Sequence, residues 1–509
     1  MEFTSILFLN GEDRPPTETL KEPDFLADLN LDQVFDAVAQ GREQYNLKPF
    51  FYSPLTDVDS ILYRHEVFQD IESPNILSCI QSFAQAMRVM RTNLAQVKGL
   101  YYQRQKQRWL LDAVSVYCDA VASLAQGLGG GRVSSRGLAA FSGYVRHYCA
   151  SEQFRELRDE ASMLMESLSK VAYCVLIKDS TVMVRKYEGE NDYSVEVERT
   201  FTRFKEAAAK DYRIQFQEWI EMDHVEANIL EFVAKLYPDV FQGLEDFYSR
   251  WTDYVDETIA TFDREVQFYL AFLDFIAPLR RRGLAFCYPK ITMSDNPIYG
   301  RDTFDVALAN HLEGRAVVCN TWQMTDRERI FVVSGPNQGG KTTFARSFGQ
   351  MHYLGTIGCL VPGEAARLLL FDHLFTHFER QENVASLTGK LEDDLLRMRA
   401  ILERASGTSI ILINEMLAST TLRDGILLGR RIMEKLRQLG SVCIWVTFIE
   451  ELATDSEVVA SLLSTVEKDA PTVRTYKIER HPPVGIAHAL SLAERYGLTY
   501  EALKERIRS

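Results

Sequence analysis

The stretch that decides the architecture is Ile330-Phe331-Val332-Val333-Ser334-Gly335-Pro336-Asn337-Gln338-Gly339-Gly340-Lys341-Thr342-Thr343. Its apolar, β-branched start predicts a buried strand, and Thr343-Phe344-Ala345-Arg346-Ser347-Phe348 opens a helix behind it. Between them stands Gly335-x4-Gly340-Lys341-Thr342, in the strand–loop–helix context that a phosphate-binding loop requires. The glycines let backbone N–H groups curl around phosphate oxygens, and the helix N-terminus adds its positive end. Lys341 then reaches the β- and γ-phosphates, and Thr342 offers a hydroxyl to Mg²⁺. The expected ATP site is Gly335, Pro336, Asn337, Gln338, Gly339, Gly340, Lys341, Thr342 and Thr343. A chance glycine turn is the alternative, and the flanking strand and helix weigh against it.

Outward from the loop, Ile410-Ile411-Leu412-Ile413 and Val442-Cys443-Ile444-Trp445-Val446 repeat the buried-strand texture and alternate with helical stretches. This is the pattern of a largely parallel sheet covered by helices, and it predicts an α/β P-loop ATPase domain over 301–509. Asn414-Glu415 ends the first of these strands, so both residues emerge at the carboxyl edge of the sheet beside the phosphates. Glu415 is placed to orient and deprotonate the attacking water, and the metal role of Asn414, beside Thr342, is what the family resemblance described below implies. A simple acidic helix cap is the competing reading of Glu415.

Upstream the texture is helical from about Leu29 to Pro278, with long charged side chains opposite the apolar stripes. Asp253 to Phe275 is a sample: Tyr254, Val255, Ile259, Phe262, Val266, Phe268, Tyr269, Phe272 and Phe275 recur at three- and four-residue steps. That spacing predicts a strut-like helix about 35 Å long. Gly127-Leu128-Gly129-Gly130-Gly131 predicts a flexible joint between helices. Thr181-Val182-Met183-Val184-Arg185-Lys186-Tyr187, followed by Glu188 to Asp192, predicts a small hairpin insertion near 176–200. The expected order is an N-terminal segment over 1–40, a mostly α-helical body over 41–300, and the ATPase domain.

With 509 residues, 46% of them hydrophobic, the chain expects two or three globular domains. No run approaches the roughly 18 apolar residues of a membrane span, and Met1-Glu2-Phe3-Thr4-Ser5 does not begin a signal peptide, so a cytoplasmic protein is expected. The cysteines at 79, 118, 149, 174, 287, 319, 359 and 443 stand singly and read as reduced, buried small hydrophobes. A net charge of −14 excludes a protein coated in basic surface and leaves room for a local basic groove.

Ser334 to Thr343 resembles the G-P-N-x-x-G-K-[ST]-T loop of MutS proteins, a Pro-Asn pair that most phosphate loops lack. The resemblance extends through Val361-Pro362, Leu374-Phe375-Thr376, Asn414-Glu415, Ser419-Thr420-Thr421 with Asp424-Gly425, and the tail from Gly485-Ile486-Ala487 to Ile507. Upstream, Leu55 to His65, Leu273-Asp274 and Tyr288-Pro289 are similar to the boundaries of the family's helical core. The resemblance implies levers with a reduced, clamp-like β insertion, an ABC-type ATPase with ATP and Mg²⁺ as cofactors, and a C-terminal helical dimerisation segment. It also implies a homodimer closing on duplex or branched DNA, with two ATP sites at the dimer interface and other repair proteins as partners.

This sequence also departs from the family. The core-like signal starts within about 60 residues, leaving no room for the mismatch-reading and connector domains that mismatch detectors carry ahead of it. The Phe-x-Glu triplets at Phe154, Phe204, Phe216 and Phe448 fall in helical or ATPase segments, so direct mismatch reading is not expected. Asn414 stands where the family usually has Asp, and Phe448 where a γ-phosphate-sensing histidine is usual; both predict slow hydrolysis. Thr388-Gly389-Lys390 covers a segment implied to reach the partner's nucleotide, with Gly389 aligned near the family's serine. Lys390 is either an electrostatic substitute or a solvated helix-start lysine.

Three other constellations were weighed. His373 and His377 read as strand and loop rather than a helical metal pair. Arg280-Arg281-Arg282-Gly283 reads as a helix C-terminus rather than a DNA patch. Tyr101 to Trp109 suits either nucleic-acid contact or an amphipathic helix with snorkelling arms. Three functions follow: an ATP-driven DNA clamp of MutS type without mismatch reading; a nucleotide-gated dimeric interaction protein with little hydrolysis and no DNA; and another ABC-type ATPase with long helices, for which this body is short.

Overall fold

A computed structural model describes residues 3–10, 21–131, 133–179, 181–190, 222–293, 297–312, 314–325, 327–379, 389–453, 456–467 and 470–481, with positions 193 and 504. The expected C-terminal helical segment and most of 191–221 lie outside the described residues. The chain divides into two compact units. One comprises Met1–Phe3, Asp70–Ser134 and Leu138–Asp263; the other comprises Thr4–Gln69, Ser135–Gly137 and Arg264–Ser509.

The first unit is built on two long helices, Pro74–Gly99 and Gln103–Gly130, joined by a short turn and packed against each other. Their seam is written in the sequence at helical spacing: Ile76, Ile80, Phe83, Met87 and Met90 face Leu110, Leu111, Val114, Tyr117, Val121 and Leu124, all buried. The expected joint at 127–131 is not there. Gly127, Gly129 and Gly130 stay in the helix, which ends at Gly131. Packing explains it: a Cβ on Gly127 would lie 2.3 Å from the Cys79 sulfur, so glycine permits a close approach that offsets its poor helix propensity. Helix Glu152–Ser169 follows, its first turn capped by Ser151 Oγ accepting from the Phe154 N–H.

The expected insertion is an antiparallel hairpin, β1 (Tyr173–Lys178) and β2 (Thr181–Lys186), starting three residues earlier than its apolar pattern suggested. Val184 packs toward Val233 and Phe241 of helices His224–Leu236 and Pro238–Arg250. Asp223 and Glu226 close a reciprocal capping box on the first of these.

The strut-like helix runs over Glu257–Arg281, so Tyr254 and Val255 precede it. Asp256 Oδ1 accepts from the Ile259 N–H and ends any continuation upstream.

In the second unit, short strands β3 (Phe286–Cys287), β4 (Lys290–Thr292), β5 (Ile298–Thr303) and β6 (Asn320–Met324) lead to β7 (Ile330–Ser334). The chain continues through β8 (Val361–Pro362), β9 (Ala365–Leu369), β10 (Leu374–His377), β11 (Ile410–Asn414) and β12 (Val442–Val446), and then the long pair β13 (Val459–Glu467) and β14 (Ala470–Arg480). The main sheet has the order β10-β11-β12-β7-β13-β14; the first five strands are parallel and β14 is antiparallel. Ile413, Trp445 and Val332 lie side by side across β11, β12 and β7, and Trp445 is fully buried. A second sheet has the order β4-β9-β5-β6.

Helix Lys341–Thr356 is buried along nearly its whole length because the main sheet and the N-terminal residues both pack on it. Gly349 fits between Leu29 and Leu412, where a Cβ would come within 3.0 Å of both side chains. Gln350 Nε2 donates to the Leu29 carbonyl, and Tyr353 Oη to that of Phe51. Arg64 is wholly buried; its Nε donates to Leu7 O at 2.9 Å and its Nη1 to Ile357 O at 2.7 Å. The N-terminal segment is thereby fixed against the helix that carries the phosphate loop.

Candidate nucleotide site

The loop leaves β7 at Ser334 and enters helix Lys341–Thr356. Gly335, Gln338 and Gly340 take φ of 118°, 60° and 91°, in the positive range that glycine adopts most readily. A Cβ on Gly335 would lie 2.9 Å from the Ser464 carbonyl oxygen, and one on Gly339 2.2 Å from Ser464 Oγ. That hydroxyl donates to the Gly339 carbonyl at 2.6 Å, pinning the loop to β13. Ser464 lies far outside the loop motif, so nothing in the local pattern pointed to it.

Lys341 is 5% exposed, and its Nζ donates to the carbonyls of Gly335 at 3.0 Å and Pro336 at 3.1 Å. The ammonium folds back on the loop's own backbone. Burial lowers its pKa from the ordinary 10.5; the Glu415 carboxylate opposes that shift and Arg474 adds to it.

The carboxyl ends of β7, β12 and β11 lie level because the three strands are parallel and in register. Thr342 Oγ1 donates to Asn414 Oδ1 at 2.8 Å, so the helix start and the end of β11 are tied by side chains. The next N–H, that of Glu415, donates to Val446 O at 2.9 Å. Glu415 and Leu417 adopt φ of 53° and 72°, a left-handed conformation that costs a non-glycine residue on the order of 1–3 kcal/mol. Surrounding hydrogen bonds hold that turn and keep Glu415 at the cavity wall.

The cavity encloses about 470 Å³. Its lining combines Gln338 to Thr343 and Glu415 with the apolar Leu308, Leu312, Val317 and Val318 and with the charged Asp305 and Arg315. Tyr476, half exposed with φ 58°, lies beside Gly340 at the mouth. Asn320 clips that part of β14 in place, donating to Tyr476 O at 3.2 Å and accepting from the Ile478 N–H at 2.8 Å. Apolar lining with an aromatic at its rim suits a planar base, and the loop suits phosphates. Tyr476 and Asn320 escaped the sequence reading because they sit on separate strands that only the second unit's fold brings together.

The oxygen groups at this end that could face a cation are one hydroxyl, Thr342, the amide oxygen of Asn414 and one carboxylate, Glu415. With its proton given to Asn414, the Thr342 oxygen retains lone pairs for a cation. This set suits an ion carried in on phosphate oxygens and lacks the carboxylates to retain one alone. Phe448, at the end of β12, is half exposed and supplies no polar group.

Other candidates resolve differently. Lys390 begins helix Lys390–Arg404 and pairs with Glu379 of its own chain, while Thr388 lies outside the described residues. His377 is buried at the end of β10 with Nε2 3.2 Å from Asp394 O, and His373 stands beside Asp372. Among the described residues no group of three or more His, Cys, Asp or Glu could hold a metal. Arg282 donates to the carbonyls of Ala309, Leu312 and Arg315, a structural brace after the helix end. In the Tyr101–Trp109 run, Arg104 pairs with Glu231 and Glu245, Arg108 pairs with Asp112, and Gln107 is buried. Those arms serve the helical unit. No helix among the described residues is long and apolar enough to cross a membrane.

Comparison with known proteins adds to this geometry. Residues 331–499 match the family model for MutS domain V. Over these residues the chain is similar to the MutS family. The "DNA mismatch repair protein MutS" of Bacillus cytotoxicus is 28% identical over 199 residues, 38% of this chain and 22% of that protein. The protein of the same name from Halalkalibacterium halodurans is 29% identical over 166 residues, 32% of this chain and 19% of its own. That of Thermosipho melanesiensis is 24% identical over 255 residues, 50% of this chain and 30% of its own. The chain thus spans less than a third of the length of these curated relatives. The MutS match covers the loop, Asn414, Glu415, Ser464 and Tyr476.

Proposed function

We propose that this protein is a P-loop ATPase of MutS type, in which ATP binding and slow hydrolysis gate a homodimeric clamp on duplex or branched DNA in the cytoplasm. The observation that carries the reading is the convergence of Lys341, Thr342 and Glu415 on one cavity, with Asn414 bonded to Thr342 behind it. The loop N–H groups and the helix N-terminus receive the phosphates. Lys341 exchanges its carbonyl partners for phosphate oxygens, a stronger charge-assisted pairing. Asn414 orients the Thr342 hydroxyl, and Glu415 takes the proton of the attacking water. The Thr342 hydroxyl would help to hold a magnesium ion, which would supply positive charge to offset that developing on the phosphates. An amide at 414 and a phenyl ring at 448 each remove help from the transition state, which supports a low rate.

DNA binding, dimerisation and repair partners rest on the kinship, since the relatives are named for DNA mismatch repair. The second reading is a nucleotide-gated dimeric interaction protein with little hydrolysis and no DNA. The intramolecular pairing of Arg104 and Arg108 favours it at the one aromatic–basic stretch suited to a nucleic acid. Titration with linear, mismatched and branched DNA at rising salt separates the two. Affinity that falls as salt rises supports the clamp; no binding even at low salt replaces it with the second reading. Sedimentation with and without ATP tests closure, and an ATP-insensitive monomer over a wide concentration range contradicts it.

A further inference from the structure

We propose that Arg282 is a positioning residue for nucleotide binding, holding the chain after helix Val306–His311 as the part of the cavity wall that meets the nucleoside. The proposal rests on the cavity being an ATP site and concerns what fixes the part of its wall that the phosphate loop does not supply.

Arg282 is aimed by the end of its own helix. After Glu257–Arg281 the Gly283 N–H donates to Arg280 O at 2.9 Å and the Leu284 N–H to Leu279 O at 3.2 Å, with Gly283 at φ 83°. This paired closure needs a left-handed residue, which glycine supplies without strain, and it fixes the backbone on which Arg282 stands. From there the guanidinium spans several carbonyls: Nη1 donates to Ala309 O at 2.7 Å, and Nη2 to Leu312 O at 2.7 Å and to Arg315 O at 3.0 Å. Ala309 and Leu312 lie at the end of a six-residue helix, where carbonyls lack intrahelical partners and a cation suits the dipole. A planar fork of fixed donors serves such a set of acceptors at once, and an ammonium does not match it.

The braced stretch then walls the cavity. Leu312, Arg315, Ala316, Val317 and Val318 line it, yet 314–319 belong to no helix or strand, and β6 begins at Asn320. The start of the short helix is held from another side: Gln350 Oε1 accepts from the Val306 N–H at 2.9 Å, and Asp305 Oδ1 from the Leu308 N–H at 3.0 Å. Beyond the stretch, Lys477 Nζ donates to Cys319 O at 2.6 Å. Between these anchorages Arg282 bonds Leu312 O and Arg315 O, so its removal loosens the wall and leaves the phosphate loop as it was. That loop takes the anionic part of ATP, which leaves the apolar side chains of 312–318 to the nucleoside. A wall ordered before binding costs the nucleotide less entropy, so the brace raises affinity without touching the ligand.

Calorimetric affinities for ATP and for inorganic triphosphate, both in excess magnesium, test the proposal. Arg282→Ala should bind ATP about tenfold more weakly and triphosphate within about twofold of native, because the loss falls on the nucleoside. Arg282→Lys, which keeps the charge and loses the fork, should lie between the two for ATP. Arg281→Ala, which removes a charge from the exposed neighbour, should bind both ligands as the native protein does. A folded Arg282→Ala that binds ATP like native, or that loses ATP and triphosphate alike, overturns the proposal and leaves the ATP site standing. So does a loss in Arg281→Ala as large as that in Arg282→Ala. No ATP binding by the native protein overturns the ATP reading and the proposal with it.

Discussion

The arginines of the helical unit and the cations of the nucleotide site have opposite fates. In the first, Arg91 pairs with Asp263, Arg104 with Glu231 and Glu245, Arg108 with Asp112, and Arg250 with Glu156 and Glu160. In the second, Lys341 donates to the neutral carbonyls of Gly335 and Pro336. A cation already paired with a carboxylate gains little by turning to a phosphate, whereas one resting on backbone oxygens gains a charge-assisted bond. Net charge and basic runs therefore mislead about anion binding, and the partner each cation already has is the better guide.

The largest expected effect breaks or secures that contrast at Lys341. Lys341→Ala should weaken ATP binding about 10²-fold or more, as the loop loses its own ammonium. Unchanged affinity in a folded variant, read by calorimetry, would remove the nucleotide site from the account.

Titration sharpens the comparison next. In the nucleotide unit, burial depresses His65 and His352 to about 4 from the ordinary 6.5. Their unfolded forms take up protons first, so stability is full above 6.5 and falls as pH drops from there toward 4, by about 3 kcal/mol for each histidine. Asp263 in the helical unit runs the other way. Burial raises it to about 6, outweighing Arg91, so its contribution is greatest in acid and is lost as pH rises from 3.8 through 6. Urea unfolding followed at several pH values should show the nucleotide unit weakening in acid; a flat profile from neutral to about pH 4 would contradict the burial of both histidines.

A smaller effect lies at the strand behind the loop. Ser464→Ala removes the bond to the Gly339 carbonyl and should lower ATP affinity by about fivefold, near 1 kcal/mol. Ser464→Thr, which keeps a hydroxyl, should lose less. Equal losses in both would mean that packing, not the hydrogen bond, sets the loop.

The smallest effect is the most telling for DNA. Arg104→Ala with Arg108→Ala should change the affinity and salt slope of any DNA binding by less than about twofold, because both arms already face carboxylates. A tenfold loss with a shallower salt slope would return that stretch to a nucleic-acid role.

Much of this was legible in the sequence where chemistry demands a residue type at a fixed spacing. The β7–loop–helix unit, the β11 end at Asn414-Glu415 and the buried strands announced themselves because a phosphate loop needs glycine, lysine and threonine at set intervals. Three of the five parallel strands, β7, β11 and β12, followed from their unbroken apolar runs; β10 and β13, broken by polar residues, did not. What escaped was tertiary. Gly127 to Gly130 reads as a breaker from propensity alone, yet the close approach of Cys79 keeps it helical. Ser464, Asn320 and Tyr476 carry no local signature, since their meaning arises only where β13, β14 and β6 converge on the loop. The pairing of Arg104 with Glu231 and Glu245 is likewise invisible without the fold.

Glu415, in a left-handed turn at the end of β11, is the carboxylate that lines the cavity beside the phosphate loop. Steady-state hydrolysis and ATP binding should be measured side by side for the native protein and Glu415→Gln. Glu415→Gln should retain binding and hydrolyse ATP about 10²-fold or more slowly, the scale of a positioned proton acceptor. A native rate indistinguishable from that of Glu415→Gln, with ATP still bound in both, would contradict it and leave a nucleotide-gated binding protein in its place.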